Sequence, residues 1–173
     1  SGVVMKKMGL ITAAALVIVT ACSCRPPSEE ARLKAFLKET VSLAEKGDLG
    51  AVMARLADDY ADFEGRDKAA TEALVRDYLR RGGIGIHLLG ARAEALEPDG
   101  EASVQAEALM SSGPAEVFRK LIRYTGECYR FRLRLRRTTP SSWLIVSAAW
   151  ESIPLSELLP ESLAVLKKLF PDL

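Results

Sequence analysis

Few side chains in this sequence can move a proton at neutral pH, and they sit in two places. His87 is the single histidine, and an imidazole with an ordinary pKa of about 6.5 serves as acid or base near neutrality. The other place is Asp58-Asp59-Tyr60-Ala61-Asp62. A carboxylate buried there beside a tyrosine could take a proton from a carbon next to a carbonyl. Spacing does not decide whether Asp58 or Asp59 points inward, and it ties no carboxylate to His87. His87, Asp59 and Tyr60 are therefore catalytic candidates without a fixed pairing. The plainer readings are a hydrogen-bonded histidine at the end of a sheet and a solvated helix end rich in acids.

Other chemistry is excluded more firmly. One histidine rules out a multi-histidine metal site within the chain. Cys22, Cys24 and Cys128 form neither a paired framework nor a metal-ligand spacing, so no metal and no cofactor are expected. Cys128 reads as a small buried residue, since the sole histidine is not tied to it. Arg81-Gly82-Gly83-Ile84-Gly85 follows a helical pattern and precedes a strand, the reverse of a phosphate-binding loop. The 24 basic residues nearly match 23 acidic ones, for a net charge of +1. That balance excludes the strongly basic surface of a nucleic-acid protein.

The densest patterning lies between Cys128 and Glu151. Tyr129, Phe131, Leu133 and Leu135 alternate with Arg130, Arg132, Arg134 and Arg136, the period-two mark of a half-buried strand. Thr138-Thr139-Pro140-Ser141-Ser142 reads as a turn, and Trp143 to Trp150 as a second strand. Tyr129, Phe131 and Trp150 could line a pocket on the inner face together with His87 and Tyr60, although inner aromatics are most often core. The arginine row could hold an anion or acidic headgroups. Glu94, Glu107 and Gln105 are expected on the same outer face, so a cross-strand charge ladder explains it without a ligand.

The N-terminus reads as an address. Met5-Lys6-Lys7 is a short basic region, followed by the apolar run Leu10 to Val19, which is shorter than the roughly 20 residues a span needs. Ser1 to Val4 precede Met5 as extra residues. Val19-Thr20-Ala21-Cys22 resembles the bacterial lipobox, with valine where leucine is usual. The resemblance implies cleavage before Cys22, a lipid (palmitate among its chains) on that cysteine and a membrane partner; Ser23 after it favours the outer membrane, facing the periplasm. The expected organisation is a signal peptide over residues 1–21, a lipidated cysteine and tether over 22–28, and one folded domain over 29–173. Maturation takes the charge from +1 to about −1 by removing Lys6 and Lys7.

The elements that must position the candidates follow in order. Ser28 caps a helix carrying Leu33, Phe36, Leu37, Val41 and Ala44 on one face. Gly47 ends it, and Asp48 caps a second helix through Val52, Met53, Leu56 and Ala57. A short strand is expected around Tyr60 to Phe63, then a third helix capped by Asp67. From Ile84 the period changes to two: His87, Leu89, Ala91, Ala93 and Ala95 fall on one face, Arg92 and Glu94 on the other. Pro98-Asp99-Gly100 turns into a strand with Val104, Ala106, Ala108 and Met110 on one side. Ala115 to Ile122 reads as a short inserted helix, and Pro154 leads to a terminal helix with a fresh start near Pro160. Helices followed by consecutive strands give an α+β fold with a mostly antiparallel sheet.

Gly47-Asp48, Leu56-Ala57-Asp58-Asp59-Tyr60, Gly65 and Ser141-Ser142-Trp143-Leu144-Ile145-Val146-Ser147 resemble the nuclear-transport-factor-2-like superfamily, also called cystatin-like or SnoaL-like, over about Ala31 to Ser152. The resemblance implies a cone: a curved sheet wrapped around the N-terminal helices with a pocket at its open end, here with a C-terminal helix added. Some relatives are isomerases, dehydratases or cyclases; others bind ligands or proteins, or form homodimers through the sheet. Fold does not fix function. The expectation is a non-catalytic module of the cell envelope binding a small apolar ligand or an envelope protein. The alternative is a small isomerase- or dehydratase-type enzyme with an acid/base pair in the cone.

Overall fold

The computed structural model describes residues 27–81, 84–112, 127–140, 142–169 and 171. The chain builds α1 (Glu29–Glu45), α2 (Leu49–Met53), β1 (Leu56–Asp62), α3 (Lys68–Arg80), β2 (Ile84–Leu96), β3 (Glu101–Ser112), β4 (Glu127–Thr139) and β5 (Ser142–Pro154). A single 3-10 turn, Leu155–Glu157, leads into α4 (Pro160–Leu169). The helix starts follow the local chemistry: Ser28, Asp48 and Asp67 accept from the backbone N–H of Ala31, Ala51 and Ala70 at 3.2, 3.0 and 2.8 Å. Gly47 leaves α1 at φ +72°, a conformation that favours glycine. Leu56 and Ala57, expected on the second helix, belong instead to β1. Tertiary pairing overrides their helical spacing: Leu56 lies opposite Ile145, and the N–H of Ile145 donates to Arg55 O at 2.8 Å.

The sheet is five-stranded in the order β1-β5-β4-β3-β2, antiparallel throughout except for β1, which runs parallel to β5. The fold is thus the expected α+β arrangement with a mostly antiparallel, open sheet. Leu33, Phe36 and Leu37 of α1 bury against Val104, Leu135 and Trp143 on the inner face. The outer face has its own core, in which Leu158 and Leu166 cover Leu89, Leu109, Cys128 and Ile153. The C-terminal helix is therefore a second layer over the sheet.

The alternation read for β2 is broken by a bulge between Leu88 and Gly90. Leu88 pairs with Ala108 and Ala91 with Ala106 on the inner face, whereas His87 pairs with Leu109 and Leu89 joins the outer core. One extra residue shifts every side chain before it to the opposite face. The expected single row of His87, Leu89, Ala91, Ala93 and Ala95 is therefore split between faces. The lipobox, Cys22, the tether up to Pro26 and the short helix over Ala115 to Ile122 lie outside the described residues. Among the described residues no helix is long and apolar enough to cross a membrane.

Candidate functional site

Period-two spacing places Tyr129 and Phe131 on the inner face of β4, and the register Phe131↔Trp150 brings β5 beside them. The rings form a row: Tyr129 to Phe131 at 6.5 Å between centroids, Phe131 to Trp150 at 6.4 Å, and Trp150 to Phe63 at 4.8 Å in an edge-to-face contact. Phe63 follows β1, and its N–H donates to Ala148 O at 3.0 Å, which fixes it beside Trp150. Phe63 is 54% exposed, while Tyr129, Phe131 and Trp150 are half-buried. The row lies where β1 ends and β4 begins, and Phe131 packs against the inner core that holds the apolar face of α1.

Its border is an ion pair. Asp62 Oδ1 accepts from the N–H groups of Glu64 and Arg66, both at 2.9 Å, and Oδ2 accepts from Arg66 Nε at 2.6 Å. Burial opposes ionisation of this carboxyl, but the hydrogen bonds from Arg66 and Glu64 outweigh it and hold the pKa below the usual carboxylate value. Arg66, oriented by that grip and by Glu64, sits 5.3 Å from the ring of Trp150. Asp62 thus positions a guanidinium against the aromatic row, with its own side chain buried and both oxygens engaged.

The sequence-derived candidates disperse. Tyr60 is 4% exposed in the inner core. Burial first, then the charge of Asp62, push its hydroxyl pKa up, so it stays a neutral phenol at physiological pH. Asp59 is exposed and takes two hydrogen bonds from Arg136, Nη1 to Oδ1 at 3.2 Å and Nη2 to Oδ2 at 3.0 Å; these hold its pKa down. Asp58 pairs with Lys68 Nζ at 3.0 Å. His87 is exposed on the outer face, paired with Leu109, rather than beside Phe131 and Trp150. The structure therefore brings Tyr129, Phe131 and Trp150 together and separates them from His87 and Asp59. Phe63 and Arg66 are the neighbours that sequence reading missed. The only signal for Phe63 was its place at the end of the short expected strand.

The four alternating arginines of β4, Arg130 to Arg136, face outward as expected, and each has a carboxylate. Arg130 pairs with Glu107, Arg132 with Glu151 at 2.7 Å, Arg134 with Glu101 at 3.1 Å and Arg136 with Asp59. Of the acids expected in the ladder, Glu107 is a partner and Glu94 is not; the others come from both neighbouring strands and from β1. An open depression of about 370 Å³ lies between Arg132, Arg134, Ser103, Ser147 and Ala149, with Phe63 at its rim. Its two guanidiniums are already engaged, so its floor offers small side chains and backbone rather than free cations. Among the described residues no group of three or more His, Cys, Asp or Glu side chains could hold a metal ion.

No family model matches this chain, and no curated protein matches it in sequence. Solved structures do match, and they agree on the fold. An NTF-2 like protein of unknown function from Pseudomonas aeruginosa is 20% identical, covering 70% of this chain and 98% of its own, with a TM-score of 0.54. The β subunit of benzoate 1,2-dioxygenase from Burkholderia mallei is 11% identical over 80% of this chain and 99% of its own, at 0.57. Bd1075 of Bdellovibrio bacteriovorus is 10% identical at 0.56 over 70% of this chain, which spans only 39% of that protein. The architecture is the nuclear-transport-factor-2-like, or cystatin-like, cone. One such cone belongs to a protein of unknown function and another to a dioxygenase subunit, so the shared fold leaves activity open.

Proposed function

We propose that this chain is a non-catalytic binding module that holds an apolar molecule on the aromatic row Tyr129-Phe131-Trp150-Phe63. The observation that carries the reading is the row's border: its one carboxyl, Asp62, is buried and engaged on both oxygens by Arg66 and Glu64, so no accessible acid or base faces the rings there. A half-exposed run of rings suits a flat apolar ligand. The module is attached to the membrane of the cell envelope through lipid on Cys22, on the outer membrane and facing the periplasm.

Native mass spectrometry of the protein purified from a homologous extract tests the binding reading. A co-purifying small molecule is expected with the natural chain and lost in Trp150→Ala. A chain that carries nothing and shows no change in Trp150 emission with any apolar probe removes the reading. Attachment has a separate test in radiolabelled fatty-acid incorporation, which Cys22→Ser should abolish; unchanged labelling rejects Cys22 as the acceptor.

A further inference from the structure

The start of the described chain is held at one particular end of the sheet. Ser28 caps α1, Arg32 Nη1 donates to Pro140 O in the β4–β5 turn at 3.0 Å, and Glu29 pairs with Arg137 beside that turn. The other end of α1 marks the opposite pole: Glu45 Oε1 accepts from the N–H of Ile86 at 3.2 Å. Ile86 lies two residues along β2 from Leu88, whose partner Ala108 faces Tyr129. The aromatic row and the point where the tether joins the domain are thus separated by about the length of α1. At 17 residues that is about 25 Å for a rise of 1.5 Å per residue.

Cys22 and Ser28 are only six residues apart in sequence, and six residues reach at most about 20 Å when fully extended. A head-down domain, with its aromatic row on the bilayer, would need its attachment point about 25 Å or more above the surface, beyond that reach. We infer that the anchored domain stands with the β4–β5 turn towards its own membrane and the aromatic row turned away, so that the row takes its apolar ligand from the aqueous side and not from the anchoring bilayer. This inference rests on the lipid-anchor reading of Cys22 given above. It makes the short tether an orienting device as well as a leash.

Energy transfer in vesicles tests it with the complete lipidated chain. A donor dye is placed at Thr139→Cys or at Ser152→Cys, both exposed positions, in a Cys24→Ser background; Cys128 is fully buried. The vesicles contain phosphatidylethanolamine and phosphatidylglycerol with a trace of headgroup-labelled acceptor lipid. Transfer from position 139 is expected to exceed that from position 152 several-fold. A flexible insert of roughly 20 Gly/Ser residues before Ser28 should largely erase the difference, because such a tether no longer restricts the domain. Co-flotation with equal transfer from both positions, or stronger transfer from 152, overturns the orientation while leaving the anchor intact. A chain that carries no lipid and does not float with the vesicles overturns both.

Discussion

Arg130 grips the fully buried carboxylate of Glu107 through Nε at 3.0 Å and Nη2 at 2.8 Å, and the second oxygen of Glu107 accepts from the N–H of Leu159 at 2.9 Å, just before α4. One carboxylate on β3 therefore joins the strand beside it to the helix that covers the outer face. Removing either charge strands its partner under α4, which costs about 3–5 kcal/mol for a buried pair. Arg130→Met and Glu107→Met should each lower stability on that scale in urea titrations. The double variant should cost much less than the two together. Additive losses would mean that the pair contributes nothing as a unit.

Gly90 of β2 packs directly under Ser162 of α4. A Cβ built there would lie 2.5 Å from Ser162 Oγ, whereas its next contacts, at 3.6 and 3.7 Å, are ordinary. Gly90→Ala should cost about 1–3 kcal/mol by overpacking, and Ser162→Ala in the same chain should recover most of it. The rate at which a thiol reagent reaches Cys128, fully buried in the outer core, provides a second readout of α4 lifting. Equal protection of Cys128 in Gly90→Ala and the natural chain would show that the helix accommodates the methyl without moving.

How much of this could be read from the sequence depended on whether a feature is local. The caps at Ser28, Asp48 and Asp67 and the alternation of β4 are decided by residues a few positions apart, and all were legible. The bulge at Leu89 is decided by pairing with β3, so the sequence offered an unbroken alternation that carried His87 to the wrong face. Leu56-Ala57 went to a helix for the same reason, because their partner Ile145 is far along the chain. The aromatic row was legible from Tyr129, Phe131 and Trp150. Its border was not, since Phe63 and Arg66 reach Trp150 only through the parallel β1–β5 pairing.

Burial first, and the charge of Glu107 second, push the Cys128 thiol from an ordinary 9.0 up to about 11. The folded state therefore keeps its proton where the unfolded chain has released it. The associated stability is fully present below pH 9.0 and is lost as pH rises towards about 11. A contribution on the order of 1–2 kcal/mol should be missing from the alkaline arm of the stability curve in Cys128→Ala, measured as the change between pH 8 and 10.5 relative to the natural chain. Parallel curves for the two chains would reject a protonated, buried thiol.

Asp62 predicts the opposite arm. Its pKa is held below the ordinary 3.8 by the hydrogen bonds from Arg66 and Glu64, against the effect of burial. Its stabilising share is present above 3.8 and disappears as pH falls through its lower folded value. Asp62→Asn should be less stable than the natural chain at pH 7, and the two should converge as the solution is acidified. An undiminished gap at pH 2 would assign the loss to packing alone.

The same substitution separates a binding row from an acid–base site. If Asp62 acts by holding Arg66 over Trp150, then Asp62→Asn, Arg66→Met and Trp150→Ala should all weaken retention of an apolar probe. His87→Ala should leave it unchanged, because His87 lies on the outer face beyond the bulge. Trp150→Ala removes a ring that touches both Phe63 and Phe131, so its loss should be the largest, about 1–3 kcal/mol or roughly 5- to 150-fold in affinity. Trp143 is 2% exposed in the inner core, so probe-induced emission changes should come from Trp150 and persist in Trp143→Phe. Probe binding that follows His87 and ignores Trp150 would place the ligand on the outer face beside Leu109 and not on the aromatic row.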